Sequence, residues 1–323
     1  MIKIELWGIS IRILLLLLIL SLSYGIIDPI YTGAVDLRYL YSKNTYKSTG
    51  TFTLNDMQLN VKFPLNKNYE IYYETHLTTQ NMELFNQLYL DLDGNGWPVN
   101  TKIGRFLVAF GNEKINQIDK EFISNSLLRD TIWGNNVYLI PREETGIDVY
   151  YHSRPFSADF YLVNGKGSNL ELNNDKEGKS FGTDLRFLLR DFLDMGLSLY
   201  FSDMSDTTFY GSNNQYILLG NDYAFSFWDI DLSFAFLAAS GKLNGVSQEM
   251  NGVMGQAFYK LNPRLSFGGN VSLLTRSGAL DMRGLAGINY LLYPDIYLRS
   301  ELLLDRINSV TDYQIQIQLL VRL

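Results

Sequence analysis

The sequence predicts an all-β fold, a membrane-spanning antiparallel β-barrel of about 16 strands with one long connection folded into its lumen. Three observations predict it. Apolar and polar side chains alternate with period two over many short segments. Short turn-like connections alternate with longer polar ones, as in barrels whose two rims differ. Beyond the N-terminal region, no stretch approaches the ~18 apolar residues of a spanning helix.

Residues 1–25 have the order of a secretory signal: Lys3 and Arg12, the apolar run 13–20, then Ser23, Tyr24 and Gly25. Removal of that segment leaves 26–323 as one barrel domain starting at Ile26, so no N-terminal cysteine is available for lipid attachment. Cysteine is absent from all 323 residues, which excludes disulfides, thiolate nucleophiles and cysteine metal sites. Lys plus Arg number 27 against 34 Asp plus Glu, a balance that disfavours nucleic acid as a partner. A mean hydropathy of −0.04 with 22 tyrosines suits a wall that meets lipid on one face and water on the other.

The C-terminal segment carries the clearest pattern. Tyr313, Ile315, Ile317, Leu319, Val321 and Leu323 alternate with Gln314, Gln316, Gln318, Leu320 and Arg322, over about the length of a tilted membrane strand. The same alternation sets Leu298 and Leu302 against Arg299 and Glu301, and Val35, Leu37 and Tyr39 against Asp36 and Arg38. The charged members are expected to face the lumen. Around Phe106, Leu218 and Met254 the alternation is poor and assigns no facing. Strands are predicted at 30–42, 50–63, 68–79, 84–93, 99–109, 145–152, 156–164, 179–190, 194–203, 214–224, 227–238, 250–260, 264–275, 280–291, 295–305 and 312–323. An even number places both termini on one side of the membrane.

The connections after even-numbered strands are turn-like, for example Pro64 to Lys67, Ser153-Arg154-Pro155, Phe225-Ser226 and Leu292-Tyr293-Pro294. Several of the others are longer and polar, notably 165–178, 204–213 and 240–249. By far the longest runs over 110–144, between the fifth and sixth strands. A loop that long is unusual unless it has a function. Folded inward, it would narrow the channel.

Charged rings near a narrow point sort ions and orient polar solutes. The candidate constriction residues are Glu113, Lys114, Asp119, Lys120, Glu121, Arg129, Asp130 and Arg142. Phe122, Leu127, Leu128 and Ile132 could pin the loop to the wall. Candidate wall charges are Arg38, Arg186, Arg276, Arg283, Arg299 and Glu301, with the arginines facing the loop carboxylates, Glu143 and Glu144 included.

This organisation resembles the general porins of bacterial outer membranes, which implies a passive channel for small hydrophilic solutes or ions, surrounding lipid and a homotrimer. A local resemblance to the phosphate-selective porin O and P family lies in residues 99–167, on Gly104-Arg105-Phe106, Phe110-Gly111-Asn112-Glu113, Arg142 to Ile147 and Val163-Asn164-Gly165. That resemblance implies anions, whereas a loop with four basic and six acidic residues favours cations or neutral solutes.

Asp91-Leu92-Asp93-Gly94-Asn95-Gly96 looks like the opening of a calcium loop, but its twelfth position is Lys102 instead of a bidentate Glu. A hairpin turn explains the same residues, so neither metal nor cofactor is expected. The competing classes are an enzymatic barrel of phospholipase or protease type and a structural or adhesive barrel without an open pore. Only His76 and His152 could serve an enzyme as imidazole bases, both on the lumen face by phase, and no motif supplies either with a partner. No catalytic residues are therefore assigned.

Overall fold

The structure, a computed structural model, describes residues 30–43, 48–77, 82–94, 97–111, 122, 124–133, 139–140, 143–164, 179–190, 192–204, 214–243, 246–307 and 310–322. The signal segment 1–25 lies outside them. The strands are β1 (Ile30–Lys43), β2 (Ser48–Asn66), β3 (Tyr69–Leu77), β4 (Met82–Leu92), β5 (Asn100–Leu107), β6 (Glu143–Ser153), β7 (Phe156–Val163) and β8 (Ser180–Leu189). The second half comprises β9 (Leu193–Met204), β10 (Asn214–Phe227), β11 (Ile230–Leu243), β12 (Val246–Asn262), β13 (Leu265–Arg276), β14 (Ala279–Tyr293), β15 (Ile296–Ile307) and β16 (Val310–Arg322). A short helix, α1 (Leu127–Trp133), interrupts the β5–β6 connection.

Each strand pairs antiparallel with its neighbours in sequence, and β1 pairs with β16, from Ala34 opposite Arg322 to Lys43 opposite Tyr313. The barrel is therefore closed. Closure satisfies the backbone groups that a sheet edge would leave unpaired in hydrocarbon. Among the described residues no helix is long and apolar enough to cross a membrane.

The period-two expectation holds where it was sharpest. On β16, Tyr313, Ile315 and Ile317 are exposed, while Gln316, Gln318 and Leu320 are buried. On β15, Leu298 and Leu302 are exposed and Arg299, Glu301 and Asp305 buried. The apolar face points outward, the polar face inward. Ile317, 42% exposed at the middle of β16, thus belongs to the lipid-facing band. Ile317→Arg should lower stability in lipid vesicles by about 2–4 kcal/mol, the depth-dependent cost of a lipid-facing cation. Urea titration of the reconstituted variant measures it.

Several strands run further than the alternation indicated. The polar stretch 240–249 is mostly strand, since Ser240 pairs with Glu249 and Leu243 with Val246. Backbone pairing needs no apolar face once strands rise clear of lipid, so polarity there was misread as loop. The Phe225-Ser226 turn also moves. β10 continues to Phe227, and Trp228, fully exposed at φ 51°, makes the turn with Asp229. Between β13 and β14, Ser277 (φ 47°) and Gly278 (φ 86°) form a two-residue hairpin with both central residues left-handed.

Candidate functional site

The inward face carries charge on every side, in an uneven arrangement. On β6 to β10 it presents Asp148, Asp159, Asp184, Asp194 and Asp222, with Arg186 as the one guanidinium on that face of these strands. On β13 to β16 and β1 it presents Arg276, Arg283, Arg299, Arg322 and Arg38, interleaved with Asp281, Asp305, Glu301 and Asp36. The first arc is strongly acidic and the second close to neutral.

Wall arginines largely pair within the wall. Arg38 forks onto Asp36 two residues away, with Nη2 2.7 Å from the carboxylate. Arg186 donates to Asp194 at 3.0 Å and Asp222 at 2.8 Å and lies 3.6 Å from Asp184. Side chains two residues apart on a strand share a face, and strand pairing brings further carboxylates beside Arg186, so both guanidiniums have partners on the wall; of the loop carboxylates they are expected to face, Glu113, Asp119 and Glu121 lie outside the described residues. Arg299 reaches Gln318 at 3.4 Å and lies 5.6 Å from the Tyr297 ring. Arg276 is half-buried at the end of β13. Glu143 and Glu144 start β6 instead of ending the loop, paired with Leu107 and Phe106.

Arg283 is the exception. It donates to Asp305 through Nε at 2.6 Å and Nη2 at 2.9 Å, and to Asp130 and the Asn125 carbonyl of the long connection through Nη1. Asp130 also accepts from Asn125 Nδ2 at 2.7 Å. Arg129 is buried on α1, its backbone N–H donating to Ser126 Oγ at 3.0 Å. Glu113, Lys114, Asp119, Lys120, Glu121 and Arg142 lie outside the described residues.

Polar anchors tie the described parts of this connection to inward-facing side chains of opposite wall segments. Near its start, the Gly111 N–H donates to Ser198 Oγ at 2.8 Å and Asp184 Oδ1 at 3.3 Å. Further along, Ser124 N–H donates to Glu301 at 3.1 Å, Gln316 Nε2 to Ser124 Oγ at 2.9 Å, and Leu127 N–H to Ser272 Oγ at 3.0 Å. Glu301, foreseen only as a wall charge, therefore holds loop backbone.

Apolar packing adds to these bonds. Phe110, Leu128, Ile132 and Ile140 join wall residues Phe106, Tyr200, Tyr216, Leu218, Met250 and Met254 in one buried cluster. Phe122 packs edge-to-face on Phe258, ring centroids 5.8 Å apart, beside Leu285 and Leu303. Each such side chain contributes about 1.5–3 kcal/mol when withdrawn from water. The poor alternation around Phe106, Leu218 and Met254 now has a cause: their inward positions are apolar because they carry this connection.

Glycine supplies the clearance. A Cβ at Gly220 would stand 2.8 Å from the Phe110 ring, and one at Gly287 would stand 3.1 Å from Phe122. Gly220→Leu should cost about 1–3 kcal/mol through overpacking, read as a lower melting temperature with the Gly111 anchor loosened.

Two features escaped sequence reasoning. His76 is buried between Asp56, at 2.8 Å from Nδ1, and Glu74, at 2.8 Å from Nε2, and Gln87 Nε2 donates to Glu74 at 3.0 Å. His152 Nε2 lies 2.9 Å from Asp159. Residues 74 and 76 share a face by parity, which could have revealed that pair; the pairing of β2 with β3 that brings in Asp56 is non-local. No group of three or more His, Cys, Asp or Glu among the described residues could hold a metal ion.

Two cavities flank the 106–111 segment and α1. One of about 710 Å³ lies against β3 to β8, with Tyr72, Tyr89, Lys102 and Asp159 in its lining. The other, about 490 Å³, is bounded by α1 and by β10 to β13.

Compared by structure, the chain aligns with the anion-selective porin of Comamonas acidovorans at TM-score 0.72 and 13% identity, covering 92% of this chain and 99% of that one. The chain has a porin fold. Pseudomonas putida OprB matches at TM-score 0.72 and 11% identity over 92% of this chain and 94% of that one. OmpT of Vibrio cholerae, in its trimer form, matches at 0.63 and 10% over 91% and 99%. Compared by sequence, the chain matches no protein-family model and no curated protein. The porin fold therefore stands on architecture, and the short motifs of 99–167 gain no support as a mark of the phosphate-selective family.

Proposed function

We propose that the protein is a passive diffusion channel of a Gram-negative-type outer membrane, exported by the signal in residues 1–25 and assembled as a homotrimer. The single observation that carries this reading is the closed barrel of 16 strands with an apolar outer face and a charged inner one. Sixteen to eighteen strands enclose an aqueous channel. The proteins of similar architecture include one described as a porin and one described as a trimer. The connection between β5 and β6 is read as the constriction, crossing the lumen from the Asp184–Ser198 anchor to the Arg283–Glu301 side. Its charges, Glu113, Lys114, Asp119, Lys120, Glu121, Arg129, Asp130 and Arg142, would line the narrowest passage.

The acidic arc of β6 to β10 favours cations and neutral hydrophilic solutes over anions. Phosphate selectivity, the finer implication of the local motif, draws no support from that charge balance. A hydrolytic barrel of the serine type draws no support, since the partners shown for the histidines are carboxylates, Asp56 and Glu74 for His76 and Asp159 for His152.

Swelling of protein-loaded liposomes in isotonic solutes tests the reading. Sugars of increasing size should enter at steadily falling rates, and arabinose should enter faster than an anion of similar size. Liposomes that swell no faster than protein-free ones would overturn it.

A further inference from the structure

The larger cavity has a composition that the channel reading does not require. On its β3–β4 side, Tyr72 and Tyr89 are cross-strand neighbours whose rings stack at 5.0 Å with an interplanar angle of 24°. In register with Tyr89 on the next two strands stand Gly104 and then Gly146. Neither glycine adds a side chain to that row, and the backbones pack closely there: a Cβ at Gly104 would stand 3.2 Å from Tyr89 Cβ and one at Gly146 2.9 Å from Val163 Cγ1. One row nearer the β4–β5 turn, Lys102 lines the cavity, its Nζ 4.4 Å from the Tyr150 ring. On the far side, Phe106 and the chain through Phe110 supply an apolar wall.

The polar groups around this space are charged, but none of the cations stands alone. Lys102 bonds to Asp148 at 3.1 Å, His152 to Asp159 at 2.9 Å, and Arg186 to Asp222 at 2.8 Å. A free ion gains little beside these three pairs, because each already carries its own counter-charge. A hydroxyl gains more, since it can donate to a carboxylate oxygen and accept from a neighbouring N–H at once. Aromatic faces beside paired donors and acceptors suit a flat ring with apolar C–H faces and a hydroxylated edge. The volume, about 710 Å³, lies within the range of small-molecule sites.

We propose that this cavity binds a neutral saccharide, with a pyranose ring seated against Tyr72 and Tyr89 and its hydroxyls bonded to the paired charges of Lys102, His152 and Arg186. The proposal rests on the channel reading and names the solute class that its acidic lumen leaves open. The site lies toward the rim formed by the 154–155 turn, which also lines the cavity. A sugar would occupy it at one end of its path.

Calorimetric titration of detergent-folded protein with maltose tests the site without requiring an open pore, so failure of the channel and failure of the site are read separately. Saturable binding of maltose is expected, weakened about tenfold or more by Tyr89→Ala, the loss of one aromatic contact and of the packing around it. Tyr89→Phe, which keeps the ring, should weaken binding by only about twofold, the low end for loss of one hydroxyl hydrogen bond. Heat-modifiable electrophoretic mobility verifies that each variant is folded. Absence of maltose binding by folded wild type, equal binding by Tyr89→Ala, or saturable binding of inorganic phosphate in place of maltose would overturn the proposal.

Discussion

Deleting residues 115–140 should raise single-channel conductance by at least about twofold, because a barrel of this size encloses a water-filled passage that only an inward segment can narrow. The deletion removes α1, which packs against β12 and β13, and with it Leu128, Ile132, Leu139 and Ile140 of the buried cluster that includes Met250 and Met254. It also removes Ser124 and Asp130 from Glu301 and Arg283. The wall itself should survive, since every strand pairing runs between neighbours outside the deleted range. Stability should nevertheless fall, because an apolar patch on the inner wall becomes wet. Unchanged conductance in a folded deletion variant would place the segment outside the conducting path.

Arg283→Met should destabilise the protein and loosen α1 from the wall. Arg283 is buried and holds two carboxylates, Asp305 of the adjacent strand and Asp130 of α1, together with the Asn125 carbonyl. Methionine fills much of the volume but leaves both acids without their cation. Removing one partner of a buried pair costs about 3–5 kcal/mol. The value here belongs at the lower end, because the Asp130 side chain is 35% exposed and water can screen it. The readouts are a lower melting temperature and a channel current that fluctuates between levels as α1 leaves the wall. Asp130→Asn, which keeps a hydrogen-bond acceptor, should give the milder version of the same behaviour.

The barrel was legible because its cause is local. Lipid outside and water inside impose period two, and in β15 and β16 Leu298, Arg299 and Glu301 and each residue from Tyr313 to Gln318 declare their side by their own chemistry. The site was legible only in part. Glu301 and Arg283 could be assigned to the wall by parity, but their partners, Ser124 and Asp130, lie 177 and 153 residues away in sequence. No periodicity reports which stretch of wall meets a loop. The ambiguity at Phe106, Leu218 and Met254 was itself the trace of that meeting: an apolar residue on an inward position means something apolar stands opposite. Arg186 shows the converse. Asp184 shares its face by spacing, yet Asp222 becomes its neighbour only through the pairing of β8, β9 and β10. Tyr72 and Tyr89 likewise stack through register, which sequence spacing does not carry.

The most direct test of the central claim is reconstitution of the wild-type protein in a planar bilayer under a salt gradient. Stable unitary current steps are expected, with a reversal potential of the sign that marks cations as the faster ions, as the acidic arc of β6 to β10 requires. Folded protein that remains electrically silent would contradict the account.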